Sequence, residues 1–189
     1  MAKETIELLI WLLPLPPLVA FAVILLFTKK SHLVSSIIAV GAAALSFIGS
    51  AIVLVNAFAE GSHLGEHPFK SYIHWLPLND GYFDIGTMID PLSAVALSFV
   101  CVTVLAIFLY SVGYHNFGQP KGDHDKPGLP PHGKTIEEHG HKHEVPSVEP
   151  NYSRFFAFIG LFAFGMYTLV VSDNLLTLFV GWEIMGLCS

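Results

Sequence analysis

Apolar residues in this chain come in long runs separated by short polar stretches. The first run covers residues 8–28 and stops at Lys29-Lys30, and the second covers 33–58. The third covers 91–112, with the amphipathic Tyr110 and Tyr114 at its end, the fourth covers 155–172, and a fifth begins at 174 and reaches 189. A helix crossing a hydrocarbon layer about 30 Å thick needs about 20 residues. The pattern therefore predicts an all-α polytopic membrane protein with four complete transmembrane helices and a shortened fifth. Gly and Ala residues in the second run suit close helix packing. Pro14, Pro16 and Pro17 interrupt the first run, and because proline removes backbone donors, a kink is expected there.

Two connecting segments are long. In residues 59–89, SYIHWL and YFDIG flank PLNDG, and an Asp-Gly pair between β-prone stretches predicts a short β-hairpin on the outer membrane surface. Residues 114–151 are rich in Gly, Pro, His and charge, with too little apolar content to fold alone, so disorder or draping on a partner is expected. Lys29, Lys30, Lys121, Lys126, Lys134, Lys142 and Arg154 fall on one side of the predicted membrane, against Lys3 and Lys70 on the other. The positive-inside rule then places the N-terminus outside and the Lys-rich loop in the cytoplasm.

Composition agrees with the pattern. Hydrophobic residues make up 53% of the 189, and charged residues only 13%, about half the usual share for a soluble domain. The net charge of −6 resides in loops and gives no basic patch for nucleic acid; the lipid bilayer is the partner that composition implies. Cys101 and Cys188 lie in apolar runs and read as small buried hydrophobes. Near the N-terminus Lys3 is offset by Glu4 and Glu7, the run is too long for a signal peptide, and no small-residue cleavage site follows. It reads as a retained membrane helix.

The strongest candidate for chemistry is Glu183, in the run LFVGWEIMGLCS. Counting from Asn174, a rise of 1.5 Å per residue puts it about 13 Å deep, near mid-membrane. A carboxylate facing lipid there costs several kcal/mol, so it should face protein or water and find a partner or a proton. No Lys, Arg or His lies inside the apolar spans, so that partner must come from elsewhere; the combination reads as part of a proton or ion path. Gly181 and Gly186 would admit a neighbouring helix or a file of water, or serve ordinary packing. Asp90 and Asp173 stand at outer helix ends, where acids cap N-termini; they are secondary candidates for the mouth of an ion path. The inner loop holds His115, His124, His132, His139, His141 and His143. His139, His141 and His143 could ligate a divalent metal, but the spacing matches no defined zinc site, and a solvated insertion is the reading favoured. His63, His67 and His74 are uninformative, and no nucleophile motif, phosphate loop, haem pair or iron–sulfur cysteine set is visible.

NLLTLFVGWEIMGLCS resembles the fifth-helix signature of subunit L of bacterial NADH-quinone oxidoreductase, the counterpart of subunit five of mitochondrial complex I. IDPLSAVALSF, FLYSVGYH and YSRFFAFIGLFAFGMYTLVVSDN resemble its third and fourth helices and the turn after them. The resemblance covers nearly the whole chain and is weakest in the first two helices. It implies the first part of an antiporter-like fold of two inverted five-helix repeats, in a distal proton-pumping unit. Redox chemistry would occur in other subunits, which carry flavin mononucleotide (FMN), iron–sulfur clusters and the quinone site. The family's glutamate at the position of Glu183 is thought to pair with a lysine two helices later and help gate protons, and the family's outer hairpin corresponds to the one read here. Implied partners are the other membrane-arm subunits, including a neighbouring antiporter-like subunit that the unusually long His-rich loop could touch. A second half of the subunit is expected as a separate chain or as a continuation beyond Ser189. The implied location is the bacterial cytoplasmic membrane, ahead of the mitochondrial inner membrane. Alternatives are a subunit of a sodium/proton antiporter, a membrane hydrogenase or an inorganic-carbon uptake complex, or a nonfunctional fragment.

Overall fold

A computed structural model of the chain describes residues 2–78, 81–114, 135–138, 140–144 and 151–189. Four stretches are long and apolar enough to cross a membrane: Lys3–Thr28, His32–Glu60, Pro91–Gly113 and Tyr152–Val171. A shorter apolar helix, Leu175–Cys188, follows them. The architecture is that of an integral membrane protein of packed helices with a two-stranded hairpin at one end.

The first span is not one helix. It breaks into α1 (Lys3–Leu12) and α2 (Leu15–Val23), then ends in a π-helical turn, Ile24–Thr28. Proline explains the break. Pro17 has no N–H to offer the carbonyl four residues back, that of Leu13. In a buried, apolar setting an unmet carbonyl is costly, and here the Ser46 hydroxyl donates to Leu13 O at 2.9 Å. The π-turn was not expected from the sequence. Its last carbonyl, Thr28 O, accepts from Ser31 N–H at 2.8 Å and from the Ser35 hydroxyl at 2.9 Å, which ties the end of the first span to the start of the second.

α3 (His32–Glu60) turns a stripe of small residues inward: Ser35, Ser36, Ala39, Ala42, Ala43, Ser46, Gly49, Ser50, Val53 and Ala57. Small side chains let helix backbones approach closely, as packing in lipid requires. α3 lies against α5 (Pro91–Tyr114) and α2, while α6 (Tyr152–Val171) touches α2, α3, α5 and the last helix, α7 (Leu175–Cys188). Tyr152, Phe156 and Phe108 form the aromatic part of the core, and the Tyr152 hydroxyl donates to Val112 O at 3.0 Å.

After a single helical turn, α4 (His63–Glu66), come β1 (Phe69–Leu78) and β2 (Gly81–Ile89). They pair antiparallel from Phe69↔Ile89 to Leu78↔Gly81, with a bulge between His74 and Leu76. The strands are longer than the short hairpin expected; of the predicted Asp80-Gly81 pair, Gly81 opens β2 and Asp80 falls outside the described residues. Both strands contact α1, and β2 contacts α6, so the N-terminal half of the first span, the hairpin and the α6–α7 turn share one end. The opposite end holds the 29–31 turn, where His32 meets Tyr152 with ring centroids 5.4 Å apart.

Within the segment expected to be disordered or draped on a partner, two short strands pair, β3 (Thr135–Glu138) and β4 (His141–Glu144), with Gly140 between them at φ +80°. Its register sets Glu137 opposite Lys142 and Glu138 opposite His141, and glycine supplies the left-handed turn residue. The rest of the predicted loop, 115–134, His139 and 145–150, lies outside the described residues.

Candidate functional site

α7 starts at Asn174, whose side-chain oxygen accepts from Thr177 N–H at 2.9 Å and whose carbonyl accepts from Leu178 N–H at 3.1 Å. The helix lies on α6 through two glycines. A Cβ placed on Gly181 would stand 2.9 Å from Gly165 O and 3.0 Å from Leu169 N, and one on Gly165 would stand 2.9 Å from Gly181 O. Neither position has room for a side chain without parting the helices. Ile184 and Met185 close the same seam over Gly165.

Glu183 is two residues beyond Gly181, which at 100° per residue turns it to the far side of α7. It is exposed on this chain, on a face shared with Phe179 (54% exposed) and Leu187 (84%), and Leu176 and Val180 are exposed nearby. Among the described residues, no cation forms an ion pair with it. Glu183 therefore looks away from the four longer spans, out of an otherwise apolar face. Gly186 is also exposed, with open space where a Cβ would stand.

Asp173 and Asn174 divide the work expected of them. Asn174 is the cap of α7. Asp173 turns instead to the hairpin: its carboxylate meets Lys70 Nζ at 3.1 Å, and its N–H donates to Gly86 O at 3.1 Å. Asn174 Nδ2 donates to Asp84 O at 3.0 Å, and Ser172 bridges Thr87 in antiparallel register. Gly86 permits this approach, since a Cβ there would lie 3.1 Å from the Asp173 carboxylate and 3.3 Å from Ser71 O.

Asp90 caps α5. Its Oδ1 accepts from Ser93 N–H at 2.7 Å and from the Ser93 hydroxyl, and its own N–H donates to Ser93 Oγ at 2.9 Å. Pro91 fills the first helical position, where a missing N–H costs nothing. The Ser93 hydroxyl, with the Ser93 N–H next, holds the carboxyl below its ordinary value of 3.8, against a smaller opposing effect of burial.

Of the weak metal candidates, His141 and His143 lie on β4, and His139 is outside the described residues. Among the described residues no group of three His, Cys, Asp or Glu side chains could hold a metal ion. Sequence reasoning missed two polar contacts. His74 Nδ1 meets Asp84 Oδ1 at 2.6 Å across the hairpin, between the rings of Tyr72 and Tyr82. Lys70, taken only as a count in the charge balance, holds Asp173. Counting strand register outward from Asn79-Asp80 would have set His74 near Asp84, within the one-residue shift of the bulge. Nothing local signals the Lys70 contact.

Four packed apolar spans, followed by a shorter apolar helix with a carboxylate at its mid-length, define a polytopic integral membrane protein. Residues 75–116, from the hairpin through α5, match the family described as NADH-Ubiquinone oxidoreductase (complex I), chain 5 N-terminus. The chain is 34% identical over 189 residues to F(420)H(2) dehydrogenase subunit L of Methanosarcina mazei, covering 100% of this chain and 22% of that protein. It is 32% identical over 175 residues to NADH-quinone oxidoreductase subunit L of Escherichia coli, covering 92% and 23%. To NAD(P)H-quinone oxidoreductase chain 5 of Synechocystis sp. it is 28% identical over 190 residues, covering 98% and 23%. It thus spans under a quarter of the length of these relatives. Over nearly all of its own length, the chain is similar to these subunit L and chain 5 proteins.

Proposed function

We propose that this chain forms the N-terminal part of a proton-translocating membrane-arm subunit of an NADH-quinone oxidoreductase. The N-terminus and the large hairpin lie outside a bacterial cytoplasmic membrane, and the five helices open the first of two inverted antiporter-like repeats. The observation that carries the reading is Glu183: an acid midway along an apolar helix, on a face no described residue covers. In hydrocarbon that placement is costly unless the acid meets water, a cation or a proton, and a group that exchanges a proton with such a neighbour is what a translocation path needs. Asp90, held in its own helix cap, and Asp173, paired with Lys70, are secondary to it. Electron transfer belongs to other subunits of the assembly. FMN and iron–sulfur clusters would supply it there. The partners are the remaining membrane-arm subunits and the rest of the antiporter-like fold.

Glu183→Gln in the assembled complex tests this. The amide keeps the size but cannot ionise, so proton movement per quinone reduced should fall, read from the pH-gradient dye response of membrane vesicles normalised to turnover. Full pumping by an assembled Glu183→Gln complex sinks the proposal. The identity to subunit L of F(420)H(2) dehydrogenase supports a second reading, in which the electron donor is F(420)H(2) rather than NADH. Supplying each donor in turn to native membranes separates the two.

A further inference from the structure

We infer that Lys70, Gly86, Asp173 and Asn174 are positioning residues, through which the outer hairpin fixes the height and rotation of α7 and so of Glu183. The inference rests on the role proposed for Glu183. It starts from what the α6–α7 seam lacks. Gly165 against Gly181 sets how close the helices come, but a smooth glycine contact offers little directional bonding. A slip of a whole residue would bring Val180 or Trp182 onto Gly165, where there is no room for a side chain, so the seam excludes it; smaller shifts and rotations, which also move Glu183, are left to be fixed. Direction comes from the hairpin. Four contacts converge on three consecutive residues before α7: the Thr87–Ser172 bridge, Asp173 N–H to Gly86 O, the Lys70–Asp173 ion pair and Asn174 Nδ2 to Asp84 O.

Asn174 is central, because one side chain caps α7 through Thr177 N–H and holds the strand through Asp84 O. The strand has its own register, fixed by the β1–β2 ladder and by His74 on the Asp84 carboxylate. The start of α7 is thereby indexed to the strand edge, and a Cβ at Gly86 would press on the Asp173 side chain at 3.1 Å and on Ser71 O at 3.3 Å. The ion pair is partly exposed, so it biases the register by about two- to fivefold rather than locking it.

The test uses the assembled complex, with protons moved per quinone reduced as the readout. A residue that merely supports folding lowers assembly and turnover together and leaves that ratio unchanged; a positioning residue lowers the ratio. Lys70→Met should lower it by about twofold, as the loss of a partly exposed ion pair implies, and Gly86→Ala, which presses on the Asp173 side chain, should lower it as well. The reversed pair Lys70→Asp with Asp173→Lys should recover most of the loss, although each reversal alone lowers the ratio. Hydrogen exchange of the α7 first-turn amides should quicken in Lys70→Met and Gly86→Ala and slow again in the reversed pair. An unchanged ratio in Lys70→Met and Gly86→Ala, in a background where Glu183→Gln lowers it, overturns the inference. If Glu183→Gln leaves the ratio unchanged as well, the role of Glu183 itself is what fails.

Discussion

At the residue scale, the two glycines of the α6–α7 seam carry the sharpest expectation. Gly181→Val would drive methyl groups into Gly165 O and the Leu169 backbone, already at 2.9 and 3.0 Å from a bare Cβ. Overpacking of this kind costs about 1–3 kcal/mol, and Gly181→Val should lower the thermal midpoint of the purified complex, with Gly181→Ala intermediate. Asp90 supplies a second. Its folded pKa lies below the ordinary 3.8, so its contribution to stability is complete above the unfolded value and is lost as pH falls through the lowered folded one. Amide exchange at the start of α5 should therefore quicken, relative to its intrinsic rate, as pH drops below about 4, and Asp90→Asn should flatten that dependence. Glu183 was legible as a lone acid in an apolar run. The side of α7 it occupies was not, because that helix is apolar all round and has no amphipathic face to orient it. Asp173 was read as a cap from its place beside a helix start; its partner lies more than a hundred residues back, where only the folded chain could reveal it.

At the element scale, the first span shows what sequence rules give and where they stop. Three prolines predicted a kink, and the helix does break between Leu12 and Leu15. Which group rescues the freed carbonyl depends on α3 and could not be read locally. The Ser46 hydroxyl and Pro17 should be energetically coupled. Ser46→Ala alone should cost about 1 kcal/mol, and less in a Pro17→Ala background, where a helical N–H becomes available to Leu13 O. A double-mutant cycle on the thermal midpoint measures that coupling. The π-turn at Ile24–Thr28 had no signal, since ILLFT is uniformly apolar and equally compatible with an ordinary helical turn. The large hairpin was legible from Asn79-Asp80-Gly81 and its β-prone flanks. The bulge at His74/Leu76 and the small β3–β4 pair were not, because both depend on strand register more than on composition.

At the scale of the whole molecule, the count and order of spans followed from run length alone, because backbone polar groups in hydrocarbon leave few alternatives to a helix. The packing plan did not. α6 is the hub touched by α2, α3, α5 and α7, with glycine on glycine toward α7 and Phe156 on Phe108 toward α5, and the linear pattern does not say which stripes will meet. The glycine seam has one more consequence. It divides the surface of α7 into two sectors with separate obligations: one answers to α6 and tolerates almost no change in volume, while the other answers to whatever surrounds Glu183. Substitutions that retune the neighbourhood of the acid can therefore accumulate on the outward sector without disturbing the seam. A single helix can in this way keep its place in the bundle while its chemistry drifts.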